Sequence, residues 1–182
     1  MKRYNKFVVN LINNNNIKSI VEIGVWKARL SKNILDNCPN ISRYIGVDPY
    51  IKWNRKKYKD IINKKSKSEL ERAYKIACDR YYTYHHKAKL LRMTSEESIY
   101  IDGLFDMIFI DANHGYEWIK SDILRWEPKV KINGIVSGHD YSKKFKGVIK
   151  AVREHCKKNN ISFKVEKGVW FYFKREYNEN TC

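Results

Sequence analysis

Short apolar runs alternate with longer amphipathic segments along most of this chain, and this rhythm limits the fold more than any other feature of the sequence. Short runs rich in β-branched and aromatic residues predict strands, whereas segments with an apolar residue every three or four positions predict helices. A strand followed repeatedly by a helix is typical of an α/β fold, in which helices cover a parallel sheet. The predicted strands are 17–23, 44–47, 88–91, 105–110, 134–137, 162–166 and 169–173, and the predicted helices are 30–37, 96–100, 118–126 and 145–158.

The end of the chain departs from this rhythm. Two predicted strands, 162–166 and 169–173, flank Lys167 and Gly168, a turn signal that indicates an antiparallel hairpin. We therefore expect an α/β, Rossmann-like fold: a seven-stranded, mostly parallel sheet with helices on both faces and an antiparallel C-terminal hairpin. The chain has 182 residues, of which 43% are hydrophobic, and is expected to form a single domain over residues 1–182.

Residues 50–87 form an insertion that the strand–helix rhythm does not require. The insertion is rich in lysine and arginine and contains an amphipathic stretch at about 70–81, which predicts a basic helical segment. Such a segment either covers the sheet as a solvated helix or forms a lid that binds the acceptor. The sequence leaves both interpretations open and favours the cover.

Composition also bears on the compartment. No apolar run approaches the roughly 20 residues that span a bilayer, and residues 7–12 are too short for the core of a secretory signal. The four cysteines are scattered without a Cys-x-x-Cys pair, which favours reduced thiols and a cytoplasmic location, in the host cytoplasm if a virus encodes the chain. We expect no membrane partner.

The formal net charge of +17 would attract nucleic acid or other polyanions. The charge accompanies an abundance of lysine, asparagine, isoleucine and tyrosine, which an AT-rich genome would produce without selection for binding. Composition alone therefore leaves a nucleic-acid partner open.

Polar or glycine residues end the predicted strands, at the edge where an open parallel sheet binds its ligands. Gly24 follows the first strand at a tight strand-to-helix turn, where a side chain would block close approach of a ligand. Asp48 ends the second strand, roughly 20 residues on, where a carboxylate accepts hydrogen bonds from ribose hydroxyls. The first turn lacks Gly-x-Gly-x-x-Gly, so a nucleoside without a pyrophosphate is expected.

From residue 17 to residue 173 the chain resembles class I S-adenosylmethionine-dependent methyltransferases, in the branch of small-molecule, sugar and catechol-type O-methyltransferases. The resemblance rests on the loop after the first strand, on Asp48 and on two later stretches, 105–117 and 134–141. It implies S-adenosylmethionine as the cofactor, with the methionine part near the first loop, the ribose at Asp48 and the adenine near residues 94–96. The implied cofactor-binding residues are Glu22, Gly24, Trp26, Asp48, Ser95 and Asp111.

The two later stretches resemble the catalytic elements of the same branch. In related sugar O-methyltransferases an Asp-x-x-His element supplies a metal-binding carboxylate and a catalytic base, and a later aspartate adds a second ligand. The resemblance implies that Asp111 and Asp140 hold Mg²⁺ or a similar ion and that His114 is the base, a role that suits imidazole. His139 is a metal ligand, a second base, an orienting partner of Asp140 or a strand-end histidine bonded to backbone. The candidate catalytic residues are His114, Asp111 and His139.

The resemblance favours methyl transfer to a hydroxyl of a sugar or a similar small molecule as the acceptor. Two alternatives stay open: an RNA methyltransferase that binds nucleic acid through the basic insertion, and a binding protein that kept the fold without catalysis. The sequence also leaves the oligomeric state open, with a homodimer as one option.

Overall fold

The structure, a computed structural model, describes residues 3–52 and 64–176. The helices are α1 (Arg3–Asn14), α2 (Arg29–Asn37), α3 (Lys67–Tyr82), α4 (Tyr116–Trp126) and α5 (Lys146–Lys158), and 3₁₀ turns cover Glu97–Tyr100 and Glu127–Lys129. The strands are β1 (Ser19–Ile23), β2 (Arg43–Val47), β3 (Ala88–Leu91), β4 (Phe105–Ile110), β5 (Val130–Gly138), β6 (Lys164–Glu166) and β7 (Val169–Phe173). Among these described helices, none combines the length and the apolar character needed to cross a membrane.

The strands form one sheet in the order β3-β2-β1-β4-β5-β7-β6. The first five in this order are parallel neighbours, whereas β7 runs antiparallel to both β5 and β6. The chain passes outward from β1 to β3 and then returns to place β4 on the other side of β1. The topological switch therefore lies between β1 and β4, where open α/β sheets form their ligand crevice. The predicted fold class is confirmed.

Helices pack on both faces of the sheet because successive strand side chains point to opposite faces. On one face, α1, α2 and α3 contribute Val8, Leu30 and Ala73 to a hydrophobic core. On the other face, α4 and α5 contribute Ile123 and Val152 to a second core. All five residues of β1 are buried between the two cores. Burial of apolar surface, at about 25 cal/mol per Å², is the main term that stabilises this arrangement.

α3 lies within the predicted insertion and begins with a capping box. Ser66 Oγ accepts a hydrogen bond from Glu69 N at 3.0 Å, and Glu69 Oε2 accepts one from Ser66 N at 2.8 Å, so the first turn has partners for two of its backbone N–H groups. Ala73 and Ala77 are fully buried, which places one face of α3 against the sheet. Residues 53–63 of the insertion lie outside the described residues.

Two helical segments differ from the sequence predictions, and β5 begins at Val130, four residues before its predicted start. α1 is absent from the predicted helices, because its apolar run at 7–12 is short and was considered only as the core of a secretory signal. Residues 96–100, predicted as a helix, form only the 3₁₀ turn Glu97–Tyr100. Here the Glu97 carboxylate accepts a hydrogen bond from Thr94 N and the Ser98 hydroxyl donates to Thr94 O, and such local bonds compete with a regular helix.

Candidate functional site

A cavity of about 680 Å³ opens at the carboxyl edge of the sheet, at the switch between β1 and β4. It lies where the sequence predicts the ligand crevice. Most of the predicted cofactor-binding residues line it, and the predicted base lines it as well: Gly24, Trp26, Asp48, Ser95, Asp111 and His114. The structure therefore brings together residues from four different strand ends.

Gly24 is held in a backbone conformation with φ of 93°. A Cβ atom at this position would lie 2.3 Å from the carbonyl oxygen of Asp111, which is a severe overlap with backbone. Asp111 N also donates a hydrogen bond to Ile23 O at 2.8 Å, so the ends of β1 and β4 are already in contact. Glycine is therefore required at position 24 because any side chain would overlap the backbone of Asp111. The sequence analysis predicted a different reason, which was close approach of a ligand.

Asp48 joins the loops that follow β1 and β2. Its Oδ2 accepts hydrogen bonds from Val25 N at 3.0 Å and Trp26 N at 2.8 Å, and its Oδ1 accepts one from Tyr50 N at 3.0 Å. Burial raises the pKa of this carboxyl, and the three backbone N–H groups oppose that rise. The predicted ribose ligand therefore also fixes the glycine loop against the neighbouring strand end.

Tyr50 is a site residue that the sequence analysis does not identify. Its hydroxyl donates to Trp26 O at 2.7 Å, and both residues have positive φ angles of 50°, a conformation that bulky residues rarely adopt. Both side chains line the cavity. Such strain persists only where the surroundings enforce it, and it gathers at functional sites. Only the position of Tyr50 just after Asp48 could have indicated its role.

Glu22 is placed differently from its predicted role. Its side chain is buried on the face of the sheet that α2 and α3 cover. Glu22 is not among the residues that line the cavity. It accepts hydrogen bonds from the hydroxyls of Ser31 and of Tyr44, the latter at 2.9 Å. Burial raises its pKa to about 8, and the two hydroxyls oppose that rise. A role at the methionine part of a cofactor would have to be indirect and stays a prediction.

Ser95, in the loop that follows β3, lines the cavity, but its hydroxyl already has two protein partners. It donates to Asp122 Oδ1 at 2.5 Å and accepts from Trp126 Nε1 at 2.9 Å. Asp122 also lines the cavity, and burial raises the pKa of its carboxyl to about 6. Asp122 is a second residue that the sequence analysis does not identify, since it lies inside the apolar pattern of α4.

Asp111, His139 and Asp140 meet beside the cavity. His139 Nδ1 lies 3.5 Å from Asp111 Oδ1 and 3.4 Å from Asp140 Oδ1. One donor atom from each of the three side chains falls within 4.8 Å of the others, a spacing that fits a metal ion. Asp140 has a positive φ of 58°, which turns the chain sharply after β5. Asp111 and Asp140, which were predicted as a carboxylate pair, therefore lie in one cluster with His139.

His114 approaches the same cluster from the other side. Its Nε2 lies 2.6 Å from Asp140 Oδ2, and its ring stacks on Phe145 with 4.3 Å between ring centroids. Although burial opposes it, the hydrogen bond from His114 lowers the pKa of Asp140. Burial raises the pKa of Asp111, and contact with His139 opposes that rise. Asp140 thus keeps its charge to lower pH than Asp111.

Comparison with known proteins gives a consistent result. The family described as methyltransferase domain matches residues 21–141. Among solved structures, the chain is similar to the O-methyltransferase NovP, with 16% identity over 95% of this chain and 78% of that chain and a TM-score of 0.71. It is also similar to Podospora anserina methyltransferase PaMTH1 bound to SAH, with 15% identity over 96% of this chain and 80% of that chain and a TM-score of 0.68.

A third similar structure is an O-methyltransferase from Bacillus cereus in complex with SAH, with 13% identity over 96% of this chain and 82% of that chain and a TM-score of 0.67. At these identities the three structures show a shared fold and nothing finer. No curated protein matches the sequence.

Proposed function

This chain belongs to the methyltransferase domain family, and from that premise we propose that it transfers a methyl group from S-adenosylmethionine to a hydroxyl oxygen of a sugar or another small molecule. One observation carries the proposal. Asp111 lines the cavity and also lies 3.5 Å from His139, so the cavity and the polar cluster form one continuous site. Cofactor and acceptor can then meet at Asp111.

The cavity has the size and lining that a nucleoside cofactor needs. Ligand pockets usually measure roughly 300–1,000 Å³, and about 680 Å³ lies within that range. A carboxylate offers about four lone-pair positions, and Asp48 uses three of them for backbone N–H groups. We therefore propose that Asp48 accepts a hydrogen bond from one ribose hydroxyl and fixes the loop at Trp26 with the rest. The two similar structures that contain SAH support this cofactor class.

His114 is the group best placed to remove the acceptor's proton. Its Nε2 faces Asp140 at 2.6 Å, which favours the tautomer that carries hydrogen on Nε2 and leaves Nδ1 as the basic nitrogen. A neutral imidazole that a carboxylate orients is a common general base. In the proposed reaction the acceptor oxygen bonds to the methyl carbon as Nδ1 takes the hydroxyl proton, and the sulfonium donor receives the electron pair of the broken carbon–sulfur bond.

Asp111, His139 and Asp140 have a donor set that fits a divalent cation. Such an ion would lower the pKa of the acceptor hydroxyl and orient its oxygen. Carboxylates suit Mg²⁺ and Mn²⁺, whereas imidazole favours transition metals, so the mixed set predicts tighter binding of Mn²⁺ than of Mg²⁺.

Calorimetric titration with S-adenosylhomocysteine tests the cofactor part of the proposal. Wild type should bind it, and Asp48→Ala should weaken binding by roughly 10-fold or more, since a charge-assisted hydrogen bond is worth about 1.5–3 kcal/mol. Asp79→Ala, which removes an exposed acid on α3, is the matched control and should bind as wild type does. If wild type fails to bind, the proposal is wrong at its first step.

Methylation of a panel of small hydroxyl acceptors with labelled S-adenosylmethionine tests the acceptor class, with and without Mg²⁺ or Mn²⁺. A panel of RNAs belongs in the same assay because of the net charge of +17. Transfer to RNA that exceeds transfer to every small acceptor would replace the small-molecule proposal with an RNA methyltransferase. Transfer to neither, with intact binding of the product cofactor, would favour a binding protein.

A further inference from the structure

α1 reaches the carboxyl edge of the sheet and places Tyr4 on His139. The two rings are stacked, with 4.0 Å between their centroids and 26° between their planes. This contact joins the first described helix to a residue that follows β5, and no pattern in the sequence predicts it. It lies at the polar cluster and not at the cavity that would take the nucleoside.

The surroundings of Tyr4 confirm how close it lies to the cluster. Burial raises the pKa of its phenol, and the carboxylates of Asp111, Glu22 and Asp140 raise it further. The phenol is therefore neutral at physiological pH and faces a region of negative charge. An aromatic ring over an imidazole in this setting fixes the plane of the imidazole without adding charge.

His139 is held on several sides. Its Nδ1 faces Asp111 and Asp140 at 3.5 and 3.4 Å, and its backbone N donates to Ile110 O at 3.0 Å. Tyr4 covers a ring face, so the imidazole has little freedom to turn Nδ1 away from the carboxylates.

We propose that Tyr4 is a positioning residue, which locks the ring plane of His139 so that Nδ1 stays directed at Asp111 and Asp140. This inference rests on the proposed function only in giving His139 a part in the reaction. Partners that orient a ligating or catalytic histidine typically change activity or metal affinity by roughly 10- to 100-fold when removed. Tyr4 would give α1 a direct part in the site.

The rest of α1 docks independently of Tyr4, which makes a clean test feasible. Phe7 packs on Phe171 with 5.7 Å between ring centroids, and Val8 and Ile12 are buried in the core. Tyr4→Leu should therefore remove the stacked ring while the helix stays in place. Tyr4→Phe keeps the ring and removes only the hydroxyl, and Phe7→Ala loosens the helix at a site that does not touch His139.

Histidine ring signals in ¹⁵N-edited NMR of the full chain are the primary measurement, with His139→Gln used to assign His139. In wild type the tyrosine ring current should shift the His139 ring protons upfield. Tyr4→Leu should abolish that shift and broaden the signals, Tyr4→Phe should retain it, and Phe7→Ala should alter it much less than Tyr4→Leu.

Two functional measurements accompany the spectra: the kcat of methyl transfer, and the affinity for Co²⁺ followed by visible absorption. Tyr4→Leu should lower kcat or Co²⁺ affinity by roughly 10- to 100-fold with little change in KM for the methyl donor, and Tyr4→Phe should recover most of the loss. His139 signals that Tyr4→Leu leaves unchanged would overturn the inference. Equal losses in Tyr4→Phe and Tyr4→Leu, or in Phe7→Ala and Tyr4→Leu, would overturn it as well.

These outcomes stay separate from the proposed function. If wild type binds no Co²⁺ or transfers no methyl group, the proposed function fails in that part, while the His139 spectra still decide whether Tyr4 fixes the ring.

Discussion

Two histidine–carboxylate clusters flank β5, and they differ in their access to solvent. Asp140 follows β5 and lies 2.6 Å from His114, with 23% and 18% of the two side chains exposed. Glu127 precedes β5 and lies 2.9 Å from His155, with only 6% and 5% of the two side chains exposed. The same pair of chemical groups thus occurs once beside a cavity and once inside the core.

The partners of the two clusters explain the difference. In the core, the Tyr172 hydroxyl donates to Glu127 Oε1 at 2.9 Å and lies 3.1 Å from His155 Nε2, so the three side chains bond one another. At the cavity, Asp111 and His114 face a space that a ligand can enter. A histidine beside a carboxylate therefore indicates a reactive site only when the pair opens onto a cavity.

Loss of the cavity-side imidazole should give the largest effect. His114→Ala should lower kcat by roughly 10²- to 10⁴-fold, the usual contribution of a general base, with affinity for S-adenosylhomocysteine close to that of wild type. Steady-state kinetics and calorimetry measure the two quantities. His86→Ala, which removes an exposed histidine, is the control. Unchanged turnover in His114→Ala would remove this residue from the mechanism.

Loss of the core-side carboxylate should affect stability and not turnover. Glu127→Ala leaves His155 and Tyr172 buried without their carboxylate partner, and an unsatisfied buried hydrogen-bonding group costs about 1–3 kcal/mol. Denaturant unfolding should show that loss, and kcat measured well below Tm should stay near that of wild type. Glu127→Gln keeps an acceptor oxygen and should lose less. A fall in kcat equal to that of His114→Ala would show that the two clusters are not separate in function.

Glu22 sharpens the comparison, because it is a buried carboxyl with hydroxyl partners and no imidazole. Its pKa is about 8 in the folded chain and near 4.5 when unfolded, so between these values the folded state holds the extra proton. The free energy of unfolding should therefore fall as pH rises from 4.5 to 8, by at most about 1.4 kcal/mol per pH unit, and level off above.

Glu22→Gln should flatten this pH dependence, as measured by denaturant unfolding at several pH values. If the pH dependence persists in Glu22→Gln, it comes from another group. Asp122 is one such group, because burial raises its pKa to about 6. Calorimetric titration of Glu22→Gln with S-adenosylhomocysteine also tests the predicted cofactor role. If the Glu22 carboxylate contacts the cofactor directly, its removal should lower the affinity for S-adenosylhomocysteine.

An exposed pair should matter least. Lys32 and Asp36 lie one helical turn apart on α2, and 2.7 Å separates Lys32 Nζ from Asp36 Oδ2. Of their side chains, 46% and 40% are exposed. Exposed pairs of this kind contribute about 0.3–0.5 kcal/mol. Lys32→Ala, which leaves the hydrogen bond from Tyr84 to Asp36 in place, should therefore lower the free energy of unfolding by about that amount in low salt and by less in high salt. A loss as large as that of Glu127→Ala would contradict the role assigned to burial.

Much of the fold follows from the sequence because most strands are short apolar runs with clear ends. β3, β4 and β7 have the predicted bounds, since each apolar run is closed by a polar residue or a turn signal. Strand ends also predict where Gly24, Asp48, Asp111 and His114 meet, because parallel strands bring their carboxyl ends to one edge.

The remaining features depend on contacts that periodicity does not encode. Tyr4 meets His139 through the docking of α1, and Ser95 meets Asp122 and Trp126 through a hydrogen-bond network between separate elements. Glu22 was assigned by the resemblance, but its neighbours in β1 place it among core side chains. Its alternation with Val21 and Ile23 on a fully buried strand could have indicated that position.

The position of each strand within the sheet also has a consequence for how the cavity releases a ligand. Local opening begins where a structure has few buried contacts, and it reaches the most enclosed strands last. β3 is an edge strand with one buried residue, whereas all five residues of β1 are buried. Amide hydrogens of β3 should exchange with deuterium well before those of β1. We therefore expect the cavity wall near Ser95 to loosen while the ends of β1 and β4, at Gly24 and Asp111, stay in contact.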